Sequence, residues 1–467
     1  MKKHVKKWAM FTLRWGIAVV GIWFVLQNIS WRTSVLVANP TTGRPTPVQL
    51  VGPMDEHQAS FRVLSPFVTP DKLVETDIPR TDVLVRPGLD VDKAIIHRAD
   101  GTNETMELLA LRVSAGDDRR TWPVIVGRPR TLWERYFNKA PARPAETIAF
   151  SQIEGFHPAP VPYPLVELSI GRIISQANGW YLLLAVVVFP VTFVLVSARW
   201  ALLLRALGIT ISNSRTFVLT MVGLFYNNFM PGSTGGDLIK AYYASKNTPK
   251  RTQVILSVLI DRIIGLLALI ILGGTMAAIH WEIPQCRKIA IGSAVIIAMV
   301  ASGLIVFYVP FLRRVTGLNM ILKRLPMQKQ VNSAVNAMEL YGQRPGIMLT
   351  ALVMSFPVHM TCIVSAIFAG KAFGLPLSPS YYWVAVPVIV LSGAIPISPQ
   401  GAGVMEYFAI LLTKRQGCTV THAVLLTMSI RLVQMLWNLS GAFFVFRGGY
   451  AAPKEPTAAV EAAVIDG

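Results

Sequence analysis

Charge is what this sequence has least of. Only 15% of its 467 residues are Asp, Glu, Lys or Arg, against about 25% in an ordinary soluble domain. Carboxylates are the scarcer kind, with 25 Asp plus Glu against 44 Lys plus Arg and a net charge of +19. Cysteine is rarer still: Cys286, Cys362 and Cys418 are the three present. None stands in a CxxC or Cys/His spacing, which excludes a zinc ribbon, and none lies where it would staple a soluble segment. They read as apolar filler. The sequence also lacks a nucleotide-binding glycine loop and any His/Asp metal spacing. No metal ion, cofactor or nucleic-acid partner is therefore expected.

What replaces charge is apolar length. Hydrophobic residues make up 53% of the chain, and the mean hydropathy is +0.49. A membrane-crossing helix needs roughly 20 such residues. Runs of that length fall at Trp8–Asn28 and near 180–198, 252–279, 289–309, 347–370 and 419–446. The first follows the basic start "MKKHVKKWAM" and has only a weak small-residue site after it, so it reads as a retained helix with its start inside.

The segment 29–179 differs in character. It carries 17 basic and 17 acidic residues, frequent prolines, and short β-type runs such as "ASFRVL", "TDVLV" and "WPVIVG". It is expected to be a β-rich domain outside the membrane, leaving through a stiff Pro-rich linker at His157–Pro164. The positive excess then lies in the membrane part. Basic loops ("RWALLLRALG", "KNTPKR", Arg313–Arg344) place those turns in the cytoplasm. The last of them suits an amphipathic segment on the inner surface. Trp180, Tyr381, Tyr382 and Trp383 read as interface anchors.

Two runs are too short to span comfortably; each pairs with the short helix after it as a re-entrant hairpin or, in the alternative topology, as two tilted spans. Thr216–Phe229 runs into the break of "NNFMPGSTGGDLIKAYY", and Tyr382–Ile395 is followed by "PISPQGAGVMEYF". Irregular backbone at membrane depth survives only when buried in protein or lining a polar cavity. Pro231 would end the first incoming half-helix. Gly232, Gly235 and Gly236 permit close approach of the backbone to a ligand. Asp237 and Lys240 then start the outgoing half-helix, whose free N–H groups could hold an anion. Asn228 precedes the break. The second break repeats the theme with Pro399, Gly401, Gly403 and Glu406. Paired discontinuous helices are a transporter signature. Other polar groups in apolar surroundings are Asp261 and Arg262, which point to different faces, and Arg431, which shares a face with Gln434 and Asn438. Arg431 should face protein and meet Glu406, Asp237 or a headgroup phosphate. His359 reads as a hydrogen-bonded core residue.

The fold expected is an all-α polytopic membrane protein with about six full spans plus two re-entrant helical hairpins in an inverted repeat. It comprises 1–28 (start and first span), 29–179 (extracytoplasmic insert), 180–446 (membrane domain) and 447–467 (disordered cytoplasmic tail). Both termini would be cytoplasmic, and Lys414 and Arg415 would fall outside.

Three stretches in order, "NNFMPGSTGGDLIKAYY", "SVLIDRIIGLLAL" and "PISPQGAGVMEYFAILL", resemble the flippase-like transmembrane region of lysylphosphatidylglycerol synthases. The resemblance covers roughly Trp180–Phe446 plus the first helix. It maps Pro231, Gly232, Gly235, Gly236 and Asp237 to the first motif, Asp261 and Arg262 to the second, and Pro399, Gly401, Gly403 and Glu406 to the third. Gln400 stands where glycine is expected. The insert is untypical, and no aminoacyl-transferase domain follows, so the resemblance implies a stand-alone lipid-handling module in the cell membrane. A flippase or lipid-binding transporter for a phospholipid or lipid-linked headgroup is the first reading. The alternatives are a membrane-embedded transferase on a lipid-linked substrate, with Asp237 or Glu406 as base or metal ligand, and a structural protein working through an outer partner of 29–179.

Overall fold

The computed structural model describes residues 16, 19–23, 25–27, 29–69, 72–86, 93–98, 102–114, 122–128, 145–154, 163–229, 235–246, 248–325, 328–394 and 398–451. Pro231, Gly232, most of the Trp8–Asn28 run, most of the His157–Pro164 linker and the end of the tail lie outside these residues.

Among its described residues the insert is an antiparallel sheet of eleven strands. Its centre, Ser34–Ala38, pairs with Pro45–Leu50 on one side and Val83–Val85 on the other. "VLV" and "VIVG" are buried throughout, the mark of strands covered on both faces. One face packs Val35, Phe61, Val63, Val83, Val124 and Trp122; the other packs Leu36, Leu84, Ala110 and Ile125. The last strand, Val166–Glu167, returns to pair with the first, Ser34 opposite Glu167. The chain therefore enters and leaves the sheet side by side.

The helices follow. A short α1 (Ile170–Ser175) leads to α2 (Gly179–Val188) and α3 (Val191–Ala206). Next come α4 (Asn213–Asn227), α5 (Gly235–Ser245), α6 (Arg251–Ile279) and α7 (Pro284–Tyr308). Then α8 (Pro310–Val315), α9 (Leu318–Arg324) and α10 (Gln328–Gly342) form an elbow that leaves Phe311, Val315, Met320 and Ile321 exposed beside basic residues. The chain ends with α11 (Pro345–Ala372), α12 (Pro379–Ala394), α13 (Val404–Thr413), α14 (Val420–Leu439) and α15 (Ala442–Gly448). Among the described residues, five helical stretches are long and apolar enough to cross a membrane: Gly179–Ala206, Arg251–Ile279, Pro284–Tyr308, Pro345–Ala372 and Val420–Gly448. They answer five of the six spans read from the sequence.

The two short runs fold as two helical hairpins. Ser212 and Arg215, at the head of α4, line the same recess as Ala244 and Thr248 at the foot of α5. Tyr381, at the head of α12, donates its hydroxyl to the Leu412 carbonyl at the foot of α13 across 2.8 Å. Each hairpin is flanked by long helices, so α3–α4–α5–α6 and α11–α12–α13–α14 have the same order. The tyrosines correct the sequence reading. Trp180 is 71% exposed, but Tyr381 and Tyr382 are buried, one bracing the hairpin and the other lying against Gly370. Neighbouring helices claimed these rings before the interface could.

Apolar burial gives little drive inside lipid, so helices there associate through close packing of small residues. In the first hairpin a Cβ on Gly236 would stand 1.8 Å from the Gly223 carbonyl oxygen. Gly236→Ala is therefore expected to pry α4 from α5 and cost about 1–3 kcal/mol. Gly292→Ala on α7, with open space around it, should be neutral or stabilising. Thermal unfolding in detergent micelles checks both.

Candidate functional site

The hairpins bring their breaks to one cavity of about 350 Å³. Its apolar wall includes Val196, Val258, Leu266, Val358, Val390 and Ile430. Its polar wall includes Asn227, Asn228, Asp237, Arg262, Arg431, Gln434 and Asn438.

Asp237 is the third residue of α5, where a carboxylate suits the positive end of a helix. Arg262 on α6 reaches it, Nη1 to Oδ2, at 3.1 Å. Glu406 is the third residue of α13. Arg431 on α14 reaches it, Nη2 to Oε1, at 2.5 Å. Each arginine stands 25 residues after its carboxylate. The same construction has been made twice, once per hairpin, and both copies open on one space.

The two copies differ in depth. Asp237 and Arg262 are 31% and 25% exposed; Glu406 is 4% exposed. Glu406 also closes its helix start, accepting the Gly403 N–H at 2.8 Å on Oε2 and the Thr427 hydroxyl at 3.1 Å on Oε1. Gly403 needs its φ of +83°, and Gly401 its φ of +70°. Gln400, in the place where the resemblance leads one to expect glycine, also takes a left-handed φ of +49°, a conformation that side chains pay for. A Cβ on Gly21 of the first helix would stand 2.5 Å from Gly403 Cα, so that helix seats against the hairpin tip.

A third charged group reaches the same cavity, whose wall includes its Arg199 and Asp261. Arg199 on α3 donates from Nε to Asp261 Oδ1 at 2.7 Å and from Nη1 to Ser355 Oγ at 2.7 Å. Lys240 Nζ is 3.7 Å from Asp261 Oδ2 and 3.9 Å from the centre of the Trp200 ring, a cation–π distance. Trp200 is held by its own N–H to Ser257 Oγ at 3.1 Å.

The residues singled out from sequence fall as follows. Asn228, Asp237, Asp261, Arg262 and Arg431 line the cavity. Asn228 accepts from Asn438 Nδ2 and donates to the Met435 carbonyl, both at 3.1 Å. Glu406 acts on the cavity through Arg431. Gly236 donates its N–H to Asn227 Oδ1 at 2.8 Å, and Gly235 is buried beside it. Lys240 does not line the cavity; its Nζ reaches Asp261 on the cavity wall. Pro399 sits in the short helical turn with Gln400 and Gly401. Asp261 and Arg262 do take different partners. His359 is hydrogen-bonded, to the Gly265 carbonyl at 2.8 Å, yet it also lines the cavity. Arg199, Ser355 and Asn227 are additions. Arg199 is a correction: counted with a basic cytoplasmic loop, it is buried in α3. Its neutralising carboxylate lies 62 residues on, beyond any local pattern. The signal was an arginine within an apolar run that continues past it.

Four basic side chains (Arg199, Lys240, Arg262, Arg431) thus meet three carboxylates (Asp237, Asp261, Glu406), with Arg199 and Lys240 sharing Asp261. On the cavity wall, among the described side chains, Arg431 Nε and Asn438 Oδ1 are buried with no hydrogen-bond partner. Buried polar atoms are rarely left so.

Fold and site define a multi-pass helical membrane protein with a charged internal cavity. The chain belongs to the lysylphosphatidylglycerol synthase TM region family, which matches residues 168–441. It is similar to a UPF0104 membrane protein of Methanothermobacter thermautotrophicus, 24% identical over 290 residues, which cover 57% of this chain and 84% of that protein. It is similar over shorter stretches to UPF0104 membrane protein MJ1595 of Methanocaldococcus jannaschii, 34% identical over 76 residues (16% of this chain, 23% of that protein). It is also 24% identical over 103 residues to UPF0104 membrane protein PH1989 of Pyrococcus horikoshii (21% and 31%). No solved structure matches the chain. The family places its function among membrane lipids.

Proposed function

We propose that the protein binds a phospholipid or lipid-linked headgroup in the central cavity and carries it across the bilayer. The observations that carry this reading are two arginines, Arg262 and Arg431, on the wall of one partly open cavity, and a buried Arg431 Nε with no hydrogen-bond partner. An anionic phosphate answers both. A cavity of about 350 Å³ lies at the small end of ligand pockets, the scale of one headgroup whose acyl chains stay in lipid. In this reading each hairpin is re-entrant, entering and leaving on its own side, and the two enter from opposite sides. The halves are an inverted repeat, and both termini are cytoplasmic. A carboxylate–arginine pair then guards each approach, and opening one pair while the other stays closed gives alternating access. The pairs are weak enough for this where they are part-exposed, as at Asp237 and Arg262.

Cysteine labelling tests the path. Gln434 lines the cavity. Gln434→Cys is introduced after Cys286, Cys362 and Cys418 are replaced by serine, and an impermeant maleimide is added. A short-chain anionic phospholipid should slow labelling several-fold, and its zwitterionic counterpart less. Equal labelling with and without lipid would remove the cavity from the lipid's path.

A further inference from the structure

A second pocket, of about 400 Å³, lies under the sheet where the first helix, the sheet and α14 meet. The junction is firm. Ser30 donates its N–H to Thr421 Oγ1 at 3.1 Å, and Val25 and Ile29 pack on Val424. It shares no residue with the central cavity. Along α14, Val420 at this pocket and Arg431 at the other are about 16 Å apart.

The pocket has two unlike lips. One is apolar: Trp31 and Leu73 are 60% and 57% exposed, with Val420 beneath. The Trp31 ring is fixed, because its N–H donates to the Leu26 carbonyl at 3.0 Å. The other lip is cationic. Arg32 is exposed and donates to Gln49 Oε1 at 2.8 Å. Arg86 is half-exposed, with Nε 2.5 Å from the buried Glu167 carboxylate. Glu167 neutralises one guanidinium, so one positive charge faces outward. Trp31 at the end of the first helix and Trp180 at the head of α2, both widely exposed, mark the headgroup level on this side of the bilayer.

We propose that this pocket seats one anionic phospholipid of the leaflet on the sheet's side. Its phosphate lies against Arg32 and Arg86, and an acyl chain runs along Trp31, Leu73 and Val420 into the bilayer. A free phosphate has no use for the apolar lip, and a peptide would meet it at lipid depth. The pocket is the place where the inserted sheet touches the lipid supply, and it gives the insert a role in loading or receiving lipid.

The full chain carrying Leu73→p-benzoylphenylalanine is placed in nanodiscs of phosphatidylcholine with a minority of phosphatidic acid. It is irradiated, and crosslinked lipid is read by intact mass spectrometry. The side chain replaced is exposed, so folding should be spared; gel filtration confirms it. Phosphatidic acid should be enriched about fivefold over its share, the preference that one basic residue near the surface gives. Arg32→Gln with Arg86→Gln and Glu167→Gln should return it to its share, while phosphatidylcholine adducts persist. The same crosslinker at Ile95, exposed on a distant strand, is the blank. Adduct at Leu73 no greater than at Ile95, or phosphatidic acid at its bulk share in the parent, overturns the proposal. Asp237→Asn should leave the adduct unchanged; its loss there would make the pocket part of the central cavity and overturn the proposal of a separate seat.

Discussion

Asp261→Ala should be the most damaging single change in the membrane domain, costing about 3–5 kcal/mol or preventing folding. The carboxylate is 8% exposed and holds both Arg199 and Lys240. Its removal strands two cations inside the bilayer, where each is expensive. Asp261→Asn keeps a hydrogen-bond acceptor for Arg199 and loses only the charge, so its cost should be smaller, about 1–3 kcal/mol. Adding Lys240→Met to Asp261→Asn removes one unmatched cation and should recover part of that. Unfolding in detergent micelles reads the series. The order expected is parent, then the double variant, then Asp261→Asn, then Asp261→Ala. Asp261→Ala within about 1 kcal/mol of the parent would show that the group does not hold the three helices together.

Asp237→Asn should behave in the opposite way. Its pair with Arg262 is 31% and 25% exposed and faces the cavity, so stability should change by no more than about 1 kcal/mol. The rate of lipid movement should fall about tenfold or more. A tenfold loss corresponds to about 1.4 kcal/mol at the barrier, within the reach of one gating ion pair. Exchanging the partners, Asp237→Arg with Arg262→Asp, keeps the pair and the net charge and should restore a large part of the rate. If both the single and the exchanged protein move lipid like the parent, the pair is a brace and not a gate.

The sequence carried the coarse plan because the plan is written in apolar length and in helix-breaking residues. Five spans, two short helix pairs and a balanced, β-rich insert could all be read from it. So could the two carboxylates that start the return helices, since Pro and Gly flank them visibly. The pairing was harder. Arg431 had three candidate partners, and only packing brings it to Glu406. The shared spacing of 25 residues is present in the sequence but means nothing until both pairs are known. Arg199 was hidden because its partner is on another helix, and positive residues near a span end look like loop anchors. Tyr381 and Tyr382 misled for the reverse reason: their amphipathic rings suit an interface, but here a backbone carbonyl and a glycine notch took them in. Gln400 shows a position whose backbone demands glycine geometry while its side chain faces a cavity, a conflict the letters cannot rank.

The central claim is lipid movement through a charged cavity, and proteoliposomes test it most directly. The purified chain is reconstituted with fluorescent phospholipids on both faces, and an impermeant quencher is added outside. The account predicts quenching beyond the outer leaflet's half for the parent, at a rate that Asp237→Asn lowers about tenfold without unfolding the protein. Quenching that stops at the outer half for every lipid offered, with folded parent protein, would contradict it.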